Sequence, residues 1–138
     1  MRIDAIVFDC RDAAPLARFW ARTLGWSLAP YDEIELARLA AKGITDPEED
    51  PTVMVEPPED SVDLPVLFFT EVPEGKLSKN RVHLDVVADE DLEIEVERLE
   101  RLGASIHSWA EGEGGIWCVM QDPEGNEFCV MPPDDEVA

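Results

Sequence analysis

Two pairs of side chains could do chemistry here. His83 and Asp85 stand two residues apart in RVHLDVVA, and Glu127 and Cys129 stand two apart in EFCV. Alternating residues of a strand share one face. If both segments are strands, each pair projects to one side, opposite Val82, Leu84, Val86 and Ala88 in the first segment and Phe128 and Val130 in the second. An imidazole oriented by a carboxylate, Asp85 or Glu127, suits proton transfer. Cys129 could contact a ligand or be an ordinary buried thiol. Trp117 could stack on a planar ligand or pack in a core, and Asn80 and Arg81 could hold a ligand carboxylate. The expected site is therefore catalytic His83 and Glu127 with ligand-binding Asp85, Cys129, Trp117, Arg81 and Asn80, and with no metal.

The inventory limits other chemistries. His83 and His107 are the only histidines, so a zinc site of three histidines is excluded. A zinc ion on His83 and Cys129 would lack a third ligand. Three cysteines, Cys10, Cys118 and Cys129, form no CxxC and point to neither a disulfide framework nor a zinc ribbon. Against 32 acidic residues stand 11 Lys and Arg, a net charge of −21. That field opposes nucleic acid and anionic membranes as partners and favours cations. Asp4 and Asp9 interrupt the N-terminal apolar run, which is not a signal peptide, and no apolar stretch is long enough to span a bilayer. A reduced, cytoplasmic protein is expected.

The elements that must position these residues repeat. Ile3 to Phe8 reads as a strand, Asp12 as an N-cap, Leu16, Phe19, Trp20 and Leu24 as a helical stripe, and Gly25 as its stop. Val82 to Ala88, Asp89 to Asp91, the stripe Leu92, Val96, Leu99, Leu102, and Gly103 repeat that order at an offset of 78 residues. Strands over 104–109, 116–121 and 127–131 follow, separated by the turns GEGG (112–115) and DPEGN (122–126). The second half is thus βαβββ. The first half carries a strand over 26–30 and an extra helix over 32–42 with Leu36, Leu39 and Ala40 inward. An acidic loop over 46–63 with a strand at 52–56 follows, then a last strand over 65–72. The expectation is one α+β domain over 1–138, its halves 1–75 and 76–138. These are paired βαβββ modules forming a curved mixed sheet with helices on the outer face, and the segment 31–63 is inserted to border the pocket.

The segments FDCRDAAPLARFWARTLGW (8–26), KLSKNRVHLDV (76–86) and DPEGNEFCV (122–130) resemble the vicinal oxygen chelate superfamily, and within it a glyoxalase-like group of unassigned activity. That superfamily includes glyoxalase I, extradiol dioxygenases and bleomycin-resistance proteins. The resemblance implies metal ligands at Ala5, His83, Cys129 and a fourth position near Phe68 to Thr70, and it adds Ala5 to the expected ligand-binding residues. Alanine offers no donor and cysteine stands where a carboxylate is usual, so the usual metal chemistry is not expected. It also implies a homodimer. Three functions follow. The first is a metal-independent lyase, isomerase or dioxygenase-like enzyme with His83 as acid or base. The second is a protein that sequesters a cationic drug-like ligand, and the third is an interaction module. An atypical metal-dependent lyase or dioxygenase is the remaining alternative.

Overall fold

A computed structural model describes residues 1–134. Contacts cluster into two compact units, Met1–Gly75 and Lys76–Ala138. The first holds β1 (Ala5–Cys10), α1 (Ala13–Leu24), β2 (Ser27–Leu28), α2 (Glu33–Ala41), a 3-10 turn (Pro47–Glu49), β3 (Thr52–Glu56) and β4 (Val66–Glu71). The second holds β5 (Asp85–Val87), α3 (Leu92–Leu102), β6 (Ser105–Gly112), β7 (Gly115–Gln121) and β8 (Glu127–Met131). Each is a βαβββ module in an α+β fold, the first with its insertion.

The two sheets have the same topology. Their orders are β1-β4-β3-β2 and β5-β8-β7-β6. In each, the first and last strands of the unit pair in parallel, and the other pairs are antiparallel. A parallel neighbour requires a long crossover, which the intervening helix and strands supply. The left-handed glycines Gly25 (φ 67°) and Gly103 (φ 119°) close α1 and α3 with bonds to Ala21 O and to Leu99 and Glu100 O. A residue with a Cβ is strained at such angles.

In the first unit α1 packs on β3 and β4. Leu16, Phe19 and Trp20 meet Val53, Val55, Leu67 and Phe69, all buried. Phe8 stacks on Phe69 at 5.0 Å and lies 5.4 Å from Trp20. In the second unit α3 packs on β6 and β8, and Leu92, Val96 and Leu99 join Cys118, Met120, Phe128 and Val130 in the core. The outer face of α3, with Glu93, Glu97 and Glu100, is exposed.

Several boundaries differ from the sequence expectation. The first strand is Ala5–Cys10 rather than 3–8, and Ile3 is exposed, because pairing starts where Ala5 meets Val66. The strand expected over 82–88 shrinks to Asp85–Val87, the three residues that face β8. Val82, expected to face the helix, is 80% exposed. On α2 only Leu39 is buried; Leu36 and Ala40 are exposed, since one short helix contributes a single anchor. Asp12 occupies the N-cap of α1 but makes no side-chain capping bond, whereas Asp91 accepts from Glu93 N and Ile94 N. His107 falls at a β-bulge between Ile106 and Ser108, its Nδ1 3.0 Å from Ser108 Oγ.

The Asp91 cap should be measurable. Asp91→Ala is expected to cost about 1 kcal/mol, read as a lower urea midpoint with an unchanged slope. An unchanged midpoint would show that the two bonds contribute nothing to α3.

Candidate functional site

The reactive side chains of the second unit gather on the sheet face away from α3. Asp85 lies beside Cys129 in the β5–β8 register, and Cys129 lies beside Val119 of β7. Cross-strand partners share a face, so alternation puts Trp117 on this face as well. His83 precedes β5 and is not part of a strand. Its Nδ1 lies 3.1 Å from Asp85 Oδ1. One donor atom from each of His83, Asp85 and Cys129 lies within 4.8 Å of the others, the one such group among the described residues. His83 and Asp85 are exposed and Cys129 is buried. The third ligand that a His83–Cys129 pair lacked in the sequence reading is therefore present, as Asp85.

Burial raises the Cys129 thiol above its usual pKa, and the Asp85 charge and hydrogen bond raise it further, against a smaller opposing effect of Lys79. The thiol is thus held protonated, as a donor to Asp85 and a poor nucleophile. Burial likewise pushes Cys118 up to about 11, with Glu100 and Cys129 adding to it. All three cysteines are free.

What holds His83 in place without a strand is the neighbouring loop. Cys129 N donates to Leu84 O at 2.9 Å. Glu127 accepts from Lys76 Nζ and from Asn80 N, both at 3.0 Å. Lys76 also donates to Ser78 O. Asn80 Nδ2 donates to Asn126 Oδ1 at 2.9 Å. Asn126 in turn is fixed by Asp122, a buried carboxylate that accepts from Glu124 N and Asn126 N and from Asn126 Nδ2. Gly125 at φ 86° lets the turn close. DPEGN is therefore a hydrogen-bonded turn that delivers Glu127 to the loop 76–84, a positioning role.

The other expected residues are scattered. Asn80 belongs to the network just described, while Arg81 is exposed. Trp117 is half-buried and covers Gly112, where an added Cβ would come within 3.1 Å of the indole. Ala5 begins β1 in the first unit beside Val66 and offers no donor.

The first unit has a cavity of about 470 Å³ on the face of its sheet away from α1. Phe68 and the open side of β3, Thr52, Met54 and Glu56, form its floor, and Tyr31, Glu35, Arg38 and Asp50 complete its wall. Tyr31 Oη donates to Asp50 Oδ2 at 2.8 Å. Burial and Asp50 together push the phenol well above its usual pKa. Sequence reading placed the segment 31–63 at a pocket but, of these residues, singled out only Phe68, as part of the ligand position the resemblance implies. The alternation of β3, with Val53 and Val55 inward, was the available signal for Met54 and Glu56.

Paired βαβββ modules with a polar open sheet face define the vicinal oxygen chelate class. Within it, the profile of the glyoxalase-like domain family matches residues 5–131, and the chain belongs to that family. Comparison with curated proteins finds no match. Among solved structures, the chain is similar to a glyoxalase/bleomycin resistance protein/dioxygenase family enzyme from Burkholderia phytofirmans. The two are 14% identical at a TM-score of 0.66, with 96% of this chain and 98% of that one covered. It is also similar to a glyoxalase-related enzyme from Fulvimarina pelagi, at 14% identity and a TM-score of 0.62, covering 96% and 88%. At these identities the likeness is one of fold. No described helix is long and apolar enough to cross a membrane.

The Glu127 latch has a pH signature. Burial opposes its ionisation, but hydrogen bonds from the Asn80 and Glu127 backbone and from Lys76, with the Lys76 charge, outweigh that and hold its carboxyl at about 2. An unfolded glutamate titrates near ~4.3. The latch therefore contributes fully above that value and is lost as pH falls toward 2. Glu127→Gln is expected to lower stability at pH 7 by about 1–2 kcal/mol and to flatten the loss between pH 4.5 and 2. Equal acid slopes in both proteins would remove the latch from the account.

Proposed function

We propose that the protein binds a small organic molecule at the open face around His83 and transfers a proton on it, without the four-ligand metal of its superfamily. The observation that carries this reading is the His83–Asp85 contact of 3.1 Å. With Nδ1–H donated to Asp85, Nε2 carries the lone pair and is the atom free to take a proton from a ligand. Asp85 orients the ring, and Cys129 steadies Asp85 from the next strand. Trp117 supplies a flat surface on the same face, and Arg81 a cation for a ligand carboxylate. The superfamily's ligand positions do not fit a metal in this chain, because Ala5 has no donor and the position near Phe68 to Thr70 offers at best a hydroxyl. Three free thiols suit a reducing compartment, and we place the protein in the cytoplasm.

A second reading has its own observation. His83, Asp85 and Cys129 form a three-ligand set of the kind zinc accepts with water as a fourth ligand. The superfamily's hard-metal chemistry would not follow from it.

Metal analysis separates the two. The purified protein is expected to carry well under one equivalent of manganese, iron, nickel or zinc. A full equivalent of zinc that disappears in both His83→Ala and Cys129→Ser would replace the first reading by the second. Nitrogen NMR of the neutral ring is expected to show His83 protonated on Nδ1, with that preference lost in Asp85→Asn. A ring protonated on Nε2 in the unaltered protein would sink the proton-transfer reading.

A further inference from the structure

The segment 32–49 carries what its own helix needs. Asp32 accepts from Glu35 N and caps α2, and the N–H groups of Lys42, Gly43 and Ile44 close its other end on Leu39 O and Ala40 O. Along the helix Arg38 Nε and Nη2 donate to Glu35 Oε2, at 3.1 and 2.9 Å. The turn that follows is as self-contained. Asp46 accepts from Glu48 N, and Glu49 N and Asp50 N bond to Asp46 O and Pro47 O. Among the described residues, no backbone hydrogen bond joins 32–49 to another helix or strand.

Few contacts fasten this segment to the rest of the first unit. Leu39 is its one buried side chain. Ile34 and Leu36 are already exposed, so lifting α2 costs them no burial. Arg18 of α1 grips Glu48 through bonds of 2.6 and 2.7 Å, between side chains that stay 37% and 50% exposed. An exposed ion pair holds an equilibrium by a factor of a few at most. The base of the segment is firmer. Tyr31 donates to the buried Asp50, which also accepts from Thr52 N of β3, so the two ends meet beside the sheet. A segment with internal hydrogen bonds and few buried contacts opens locally before the domain unfolds. By contrast, α1, β3 and β4 share the core around Trp20 and Phe69.

We infer that 32–49 is a lid: α2 and its following turn lift as one unit from the open face of the sheet, pivoting on the Tyr31–Asp50 base, while α1, β3 and β4 stay folded. Leu39 is the catch, and the Arg18–Glu48 pair is a clamp beside it. With the lid closed, Glu35 and Arg38 wall the cavity; lifting α2 uncovers its floor of Thr52, Met54 and Phe68. The device belongs to the first unit and involves none of His83, Asp85 or Cys129.

Native-state amide exchange of the full chain, followed by NMR across low urea, tests the lid. Corrected for intrinsic rates, amides 37–41 are expected to exchange at least about 100-fold faster than the slowest amides of α1, with little dependence on urea, as a small opening requires. Thr52 N–H, bonded at the base, is expected to exchange with β3 and not with α2. Arg18→Met and Glu48→Gln are each expected to speed amides 37–41 about two- to fivefold, and the double variant no more than either alone. Leu39→Ala is expected to speed them at least about tenfold while the α1 amides keep their rates. Amides 37–41 that share the rate and urea slope of α1 would overturn the lid, as would loss of α1 protection in step with α2 in Leu39→Ala. Thr52 exchanging with α2 would overturn the pivot, and additive effects of Arg18→Met and Glu48→Gln would overturn the clamp.

Discussion

The second unit depends on one buried carboxylate. His83 lies outside every strand, so no ladder of backbone bonds fixes it. Its place follows from the segment 76–84, and that segment is tied to β8 by Glu127, which accepts from Lys76 and from Asn80 N. The Glu127 side chain is only 9% exposed. A carboxylate at that depth is tolerated because each lost water contact is replaced by a donor, one of them charged. Asp122 has the same logic one turn earlier, where it satisfies two backbone N–H groups and aligns Asn126. Removing either would leave Lys76 and Asn80, or the turn amides of Glu124 and Asn126, without their acceptor, and the segment bearing His83 would lose its tie to β8.

The acidic surplus reads differently once its members are placed. Asp32, Asp46 and Asp91 accept from backbone N–H groups at helix or turn starts. There a negative side chain also favours the helix dipole. Asp50, Asp122 and Glu127 are buried organisers, and Glu48 clamps Arg18 through two short bonds. The carboxylates on the outer face of α3 are solvated. Much of the charge is therefore explained locally, and the field it leaves is general rather than a ligand site.

The fold was legible because it rests on repeated local signals. The helical stripes of α1 and α3, their glycine stops and the two hairpin turns each follow from spacing, and the offset of 78 residues brings Gly25 onto Gly103. The 83–85 and 127–129 pairs were legible for the same reason, as period-two patterns. What escaped the sequence depended on partners far along the chain. Val82 belongs to an apolar alternation, yet it is exposed because the pairing of β5 with β8 starts only at Asp85 and Cys129. Glu127 looked like a second carboxylate for His83, but Lys76 and Asn80, some fifty residues away, engage it. Leu36 and Leu39 are equally apolar, and only the packing of α2 decides that Leu39 is the anchor. Tyr31 and Asp50 meet across 19 residues of irregular chain, where no period exists to be read.

The same offset exposes an asymmetry between the halves. It carries His83 onto Ala5 and Asp85 onto Val7, and the residues it carries onto the inserted α2 belong to the β6–β7 hairpin, not to a helix. The first unit thus has the same strand–helix scaffold without donors at the equivalent strand positions, and the polar groups of its cavity come from the insertion instead. A donor just before a paired strand can hold a reacting atom when a side-chain network ties its segment down, as Glu127 does for His83. A helix and loop over an open sheet face can enclose a body of several hundred cubic ångströms but position its atoms less tightly, since Leu39 alone anchors α2. Proton transfer needs the first kind of support and selection by charge and shape needs only the second. The division of donors between the units therefore puts the His83, Asp85 and Cys129 cluster beside β5 and β8, and the cavity with its carboxylates on β3 and the insertion.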